Sequence, residues 1–136
     1  MIESLLVANR GEIARRIIRT ARRLGIRTIA VYSEADAGLP FVAEADDAVC
    51  IGPANPAQSY RNPEAILAAA KSSGAQAIHP GYGFLSENAE FARTVENLGL
   101  PWVGPGADAI AAMGDKINAR NLMAAAGVPV APGTAE

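Results

Sequence analysis

The stretch Leu5-Leu6-Val7-Ala8-Asn9-Arg10-Gly11-Glu12 decides the fold class of this chain. Four apolar residues in succession, with no polar alternation, suit a strand buried on both faces. Asn9-Arg10-Gly11 breaks the run, and residues 12–24 then follow a helical period. Ile13, Ile17 and Leu24 line one side of that helix, flanked by Ala14, Ile18 and Ala21. Arg15, Arg16, Arg19, Arg22 and Arg23 take the remainder. Gly25 is expected to close the helix, and arginines in its last turn complement the helix dipole. A fully buried strand, a short turn and an amphipathic helix make up the first half of a βαβ unit.

The pattern then recurs. Residues 28–32 and 48–51 read as the second and third strands, residues 75–78 lead into a fourth, and residues 101–104 read as a fifth. Between them lie a short helix at 41–44 and longer ones at 63–73 and 88–98. For the second of these, Asn62 serves as N-cap and Pro63 fills the first helical position. Two further helices are expected at 107–113 and 116–126, with Asp115 capping the last. Alternating strands and helices predict an α/β fold: a Rossmann-like open parallel sheet with helices on both faces. Residues 1–113 form that domain, and residues 114–136 read as a helix and linker leading away from it. The Pro- and Gly-rich tail at 127–134 is expected outside the core.

Composition narrows the function classes. The chain has 136 residues, half of them apolar and 19% charged, which excludes a disordered chain. A net charge of -2 argues against nucleic acid or an acidic membrane surface as partner. No apolar run approaches the roughly 20 residues that span a bilayer. Cys50 is the only cysteine, so no intrachain disulfide forms and a reducing compartment is expected. These features predict a soluble, cytoplasmic domain.

The chemistry-bearing residues concentrate in His79-Pro80-Gly81-Tyr82-Gly83-Phe84-Leu85-Ser86-Glu87-Asn88, at the carboxyl end of the fourth strand. Open α/β sheets bind their ligands at such ends. Gly81 and Gly83 are expected to take backbone angles closed to other residues, presenting Tyr82 between them. His79 has two readings, a hydrogen-bonded structural residue or a catalyst. It is not a metal site, because no second histidine or cysteine stands at ligand spacing. Glu87, expected in the first helical turn, is either favoured there by the dipole or functional. The turn after the first strand carries one glycine where the dinucleotide fingerprint needs three. That turn either grips the helix start or faces a cleft. Lys116 opens the last helix against its dipole, and is either solvated or matched to an anion such as a nucleotide phosphate. Arg16, Arg19 and Arg23, at i, i+3 and i+7, form either a solvated face or a subunit interface.

Three of these motifs, Ala8-Asn9-Arg10-Gly11-Glu12-Ile13-Ala14, residues 79–88 and Met113-Gly114-Asp115-Lys116, together resemble the N-terminal domain of biotin carboxylase. The resemblance covers essentially the whole chain, in order. It implies a three-part ATP-grasp enzyme: a Rossmann-like (pre-ATP-grasp) domain, a mobile lid, and a larger domain with the metal ligands. The implied reaction carboxylates biotin with bicarbonate through carboxyphosphate, cleaving MgATP. Carboxybiotin then passes, on a biotin carboxyl carrier domain, to a carboxyltransferase that acts on an acyl-CoA. By the same resemblance, Lys116 contacts ATP, while Tyr82, Gly83 and Glu87 face the biotin and bicarbonate cleft. His79 carries over only as part of the turn. Arg16 and Arg19 match a homodimer helix, from whose pattern Arg23 departs by replacing an acidic residue. Magnesium would be held by residues outside this chain. The chain reads as a fragment that supplies one wall of the cleft and is inactive alone. Its rivals are a stand-alone nucleotide-binding Rossmann module and a non-catalytic subunit-assembly domain.

Overall fold

The computed structural model of the chain describes residues 1–133; the end of the linker expectation, 134–136, lies outside them. Four parallel strands, β1 (Ser4–Val7), β2 (Arg27–Ser33), β3 (Asp47–Gly52) and β4 (Ile78–His79), stand in the order β3-β2-β1-β4. The helices are α1 (Gly11–Arg23), α2 (Pro40–Glu44), α3 (Pro63–Ser73), α4 (Ala89–Asn97), α5 (Ala107–Gly114) and α6 (Lys116–Ala125), with 3-10 turns at Glu34–Asp36 and Pro56–Gln58.

Side-chain alternation along β1 and β2 sorts the core into two layers. Leu5, Val7 and Ala30 point to one face and pack with Ala14, Ile18 and Phe41 of α1 and α2. Leu6, Ile29 and Val31 point to the other and pack with Ile66, Phe91 and Val95 of α3 and α4. The unbroken apolar run at residues 5–8 follows directly, since all four of its residues are buried. Helix starts are fixed by side chains: Asn62 Oδ1 accepts from Ala65 N, Asn88 Oδ1 from Phe91 N, and Asp115 Oδ1 from Ile117 N and Asn118 N. None of the helices among the described residues is long and apolar enough to cross a membrane.

The topology locates a site. The chain steps outward from β1 through β2 to β3, then returns under α3 to β4 on the other side of β1. The direction of winding therefore reverses between β1 and β4. Their carboxyl ends open a crevice there, the switch point where such sheets bind ligands. The segments leaving those two ends are Asn9-Arg10 and Pro80-Gly81-Tyr82-Gly83.

Three expectations are corrected. The fifth strand shrinks to one bridge, Ile78 to Trp102, made by Ile78 N donating to Pro101 O (3.0 Å) and Val103 N donating to Ile78 O (2.9 Å). Pro101 and Pro105 flank it, and a proline offers no N–H to extend a ladder. Second, α1 buries Ala14, Ile18 and Ala21, whereas Ile13 and Ile17 are half-buried and Leu24 is 63% exposed. Small residues on the seam let the helix sit close to the sheet, and the larger side chains fall to its flank. Third, Glu87 precedes the cap Asn88 and is not in the first turn of α4; it stands exposed before the helix. The tail expectation holds over residues 127–133, which are all exposed, and α6 buries none of its residues.

Candidate functional site

Asn9 is fully buried at the carboxyl end of β1 and holds both sides of the crevice together. Its Oδ1 accepts from the Arg10 N–H at 2.9 Å, which sets the orientation of the amide. Both hydrogens of Nδ2 are then directed across the switch point, to Pro80 O and Tyr82 O, each at 2.8 Å. Gly81 lies tight against this amide. A Cβ there would stand 2.7 Å from Asn9 Nδ2 and 2.9 Å from Ile13 Cγ2, and the residue has φ +66°. Only glycine fits.

The loop is also held by the histidine. His79 Nδ1 accepts from Gly81 N–H at 3.0 Å, so the neutral imidazole carries its proton on Nε2. Burial holds its pKa below the ordinary histidine value. Because the folded state disfavours the proton that the unfolded chain accepts near pH 6.5, stability falls as pH drops below about 6.5. His79→Asn places an amide oxygen at the acceptor position and removes the titration. It is expected to flatten the pH dependence of the urea midpoint between about pH 7 and 5; an unchanged slope would assign that dependence to other groups.

Further along, Gly83 has φ +70°, and Phe84, at φ +45°, is the one non-glycine residue with positive φ among those described. Tyr82 is 65% exposed. Its phenol donates to Glu12 Oε1 at 3.1 Å, and that hydrogen bond raises the phenol pKa. Open space lies beside Gly83, with no heavy atom within 4 Å of a Cβ built there. A flat ring could approach the backbone at this point.

Behind the loop lies a network that sequence reading missed. Arg10 grips Asp36 in bidentate fashion, Nε to Oδ2 and Nη2 to Oδ1, both at 2.6 Å. Asp36 Oδ2 also accepts from the Tyr60 hydroxyl at 2.6 Å, and Tyr60 Oη accepts from Ser33 N–H at 3.0 Å. The guanidinium hydrogen bonds hold the Asp36 carboxyl below its usual range, and Asp36 holds the guanidinium above its own. Burial, and then donation to Asp36, push Tyr60 up to about 12. The Tyr60 ring stacks under Phe84 with centroids 5.2 Å apart. Arg10 thus sits where a dinucleotide motif needs a small residue because its side chain is a structural tie.

The sequence-predicted residues separate into groups. Tyr82, His79 and Arg16 line a groove of about 650 Å³ beside α1, walled by Ile13, Ile17 and Leu24. Glu87 and Lys116 lie outside that groove. Lys116 is exposed at the first position of α6, directly after its cap Asp115. Arg16, Arg19 and Arg23 are exposed and form no ion pair among the described residues. Arg15 pairs with Glu44 at 2.6 Å, and Arg22 donates to the Glu44 carbonyl, so these two stitch α1 to α2. Among the described residues no group of three His, Cys, Asp or Glu could hold a metal ion.

Comparison with known proteins identifies the family and matches the fold. The family model described as the N-terminal domain of biotin carboxylase matches residues 1–110. A biotin carboxylase of Haemophilus influenzae is 57% identical over 134 residues, which is 98% of this chain and 30% of that protein. The mitochondrial methylcrotonoyl-CoA carboxylase subunit alpha of Glycine max is 61% identical over 132 residues, 97% of this chain and 18% of that one. The chain thus spans a third or less of the length of these relatives. Among solved structures, the biotin carboxylase domain of a thermophilic 2-oxoglutarate carboxylase bound to bicarbonate superposes with a TM-score of 0.93 at 48% identity, covering 100% of this chain and 30% of that one. The Campylobacter jejuni biotin carboxylase–β,γ-ATP complex gives a TM-score of 0.95 at 47% identity, covering 99% and 30%. With the family model matching most of its length and the fold matching throughout, this chain belongs to the biotin carboxylase N-terminal domain family.

Proposed function

We propose that the domain forms one wall of the cleft in which a longer carboxylase carboxylates biotin with bicarbonate and MgATP, and that it is inactive alone. The observation that carries this reading is the clamped Tyr82-Gly83 segment at the switch point of a chain 57% identical to a biotin carboxylase. One structural relative holds MgADP and bicarbonate together, which supports both ligands for this cleft. Tyr82, Gly83 and Glu87 face biotin and bicarbonate, and Lys116 meets the nucleotide phosphates as a point charge. ATP, when bound, supplies the activated phosphoryl group. Its magnesium ligands, the ATP-grasp lid and the larger domain belong to the rest of the chain, reached through residues 114–136. The partners are a biotin carboxyl carrier domain and a carboxyltransferase, in the cytoplasm. Arg16 and Arg19, which form no ion pair among the described residues, favour a homodimer contact on α1 as well.

The stand-alone reading, a Rossmann module for NAD or another nucleotide, finds no support at the turn after β1. There the side chains of Asn9 and Arg10 are both committed to protein contacts. Calorimetric titration of MgATP into the full-length carboxylase carrying this domain tests the nucleotide assignment. Lys116→Ala is expected to weaken binding about 10-fold or more, the scale of one charge-assisted hydrogen bond. Unchanged affinity would remove Lys116 from the site. Bicarbonate-dependent ATP cleavage by the 136-residue chain would overturn the one-wall reading.

A further inference from the structure

We infer that Asn9 and Phe84 are positioning residues for Tyr82 and Gly83, holding the segment in one conformation before any ligand arrives. The inference rests on the proposed place of Tyr82 and Gly83 at the biotin cleft. A segment with glycines on both sides of its tyrosine samples many backbone states when free, and ordering it costs about 1–2 kcal/mol per residue. Left to itself it would meet a ligand as an ensemble. Here it is pinned at both ends.

At the first end, Asn9 is 0% exposed and both hydrogens of its side-chain amide are bonded. Its Oδ1 is taken by the Arg10 N–H, so the amide cannot turn over without placing an acceptor against two carbonyls. The two remaining bonds fix the peptide planes before Gly81 and after Tyr82. Gly81 fits against that amide with no room for a methyl group. At the second end, Phe84 adopts a left-handed backbone that a bulky aromatic residue avoids. Such a conformation persists only when its surroundings over-determine it, and it marks functional loops. What holds it is the stack on Tyr60, itself tied through Asp36 to Arg10. Between the two anchors, the Tyr82 ring and the open face of Gly83 are all that the loop presents outward. Neither side chain lines the groove that Tyr82 borders, so both act through the residues they hold.

The test uses the full-length carboxylase carrying this domain, with free biotin as substrate and bicarbonate-dependent ADP release as readout. Asn9→Ala is expected to lower kcat/KM for biotin about 100-fold, the cost of a misplaced positioning group, with KM for MgATP within about twofold. Phe84→Gly, which keeps the backbone angle accessible and removes the stack, is expected to lower it about 10-fold with the same split. Should Asn9→Ala fail to fold, Phe84→Gly decides by the same criteria. A parallel loss in the MgATP and biotin parameters would show a merely structural role and overturn the inference. Tyr82→Ala separates the two layers. If it lowers biotin kcat/KM while Asn9→Ala and Phe84→Gly leave it unchanged, the inference fails and the cleft reading stands. If Tyr82→Ala changes nothing, the cleft reading fails and the inference falls with it.

Discussion

Replacing Asp36 by alanine is expected to destabilise the domain by about 3 kcal/mol, read as a lowered urea midpoint at unchanged slope. Its side chain is only 7% exposed, yet it accepts from Arg10 twice and from Tyr60 once. Removing it strands the buried Tyr60 hydroxyl without its acceptor and leaves Arg10 with no counter-charge. Arg10 is 43% exposed and recovers water, which places the loss at the lower end of the range of about 3–5 kcal/mol for a broken buried pair. The difference should also depend on pH in a defined direction. Because Arg10 depresses the folded-state pKa of Asp36, the contribution is complete above the unfolded value of about 3.9 and is lost as pH falls through the folded one. Wild type and variant therefore converge in acid, below about pH 4. A loss under about 1 kcal/mol at neutral pH would mean that Tyr60 is held by the stack on Phe84 alone.

Phe91→Ala should cost as much or more, about 3–5 kcal/mol. Phe91 is 2% exposed and packs under the sheet with Leu6, Ile78 and Val95. Its ring also meets Trp102 edge-on, with centroids 5.6 Å apart and planes at 82°. That pair contributes about 0.5–1.5 kcal/mol beyond burial. Trp102 is otherwise tied by its own ring N–H to Pro105 O at 3.1 Å, and it borders the small cluster of Ala92, Ala107 and Ile110 under α5. The variant should therefore loosen the segment leading to α5, α6 and Lys116 as well as the core. Tryptophan fluorescence, which reports one residue in this chain, is expected to shift to the red below the unfolding midpoint. A stable variant with unshifted emission would show that α5 and the Trp102 segment hold their place without the ring.

Much of this architecture was readable in order along the chain. The buried run of β1, the arginine-rich α1, Asn62 and Asp115 as caps, and the crossover pattern each depend on residues within a turn or two of one another. The proposed site was readable as a list of residue types in one loop, and as a resemblance carried by three motifs. What escaped were the ties behind it. Arg10 and Asp36 are 26 residues apart, Tyr60 and Asp36 are 24 apart, and Asn9 reaches Pro80 and Tyr82 across 71 and 73. No periodicity links such pairs. Tyr60 sits in a Pro- and Asn-rich loop that has every mark of a surface connection, yet it is 2% exposed. The misplaced Glu87 has a local cause, because the capping amide of Asn88 competes for the helix start and wins it.

By itself, then, the sequence determined the four strands and the helices between them, that the strands run parallel, and which loop carries the proposed site. Those properties follow from local propensity and from patterns of apolar residues, which act over a few positions. Only the tertiary structure decided that winding reverses between β1 and β4, that Asn9 bridges the two ends, and that Asp36 and Tyr60 are buried supports. These depend on contacts between distant segments, whose energies exist only once the sheet has brought the segments together.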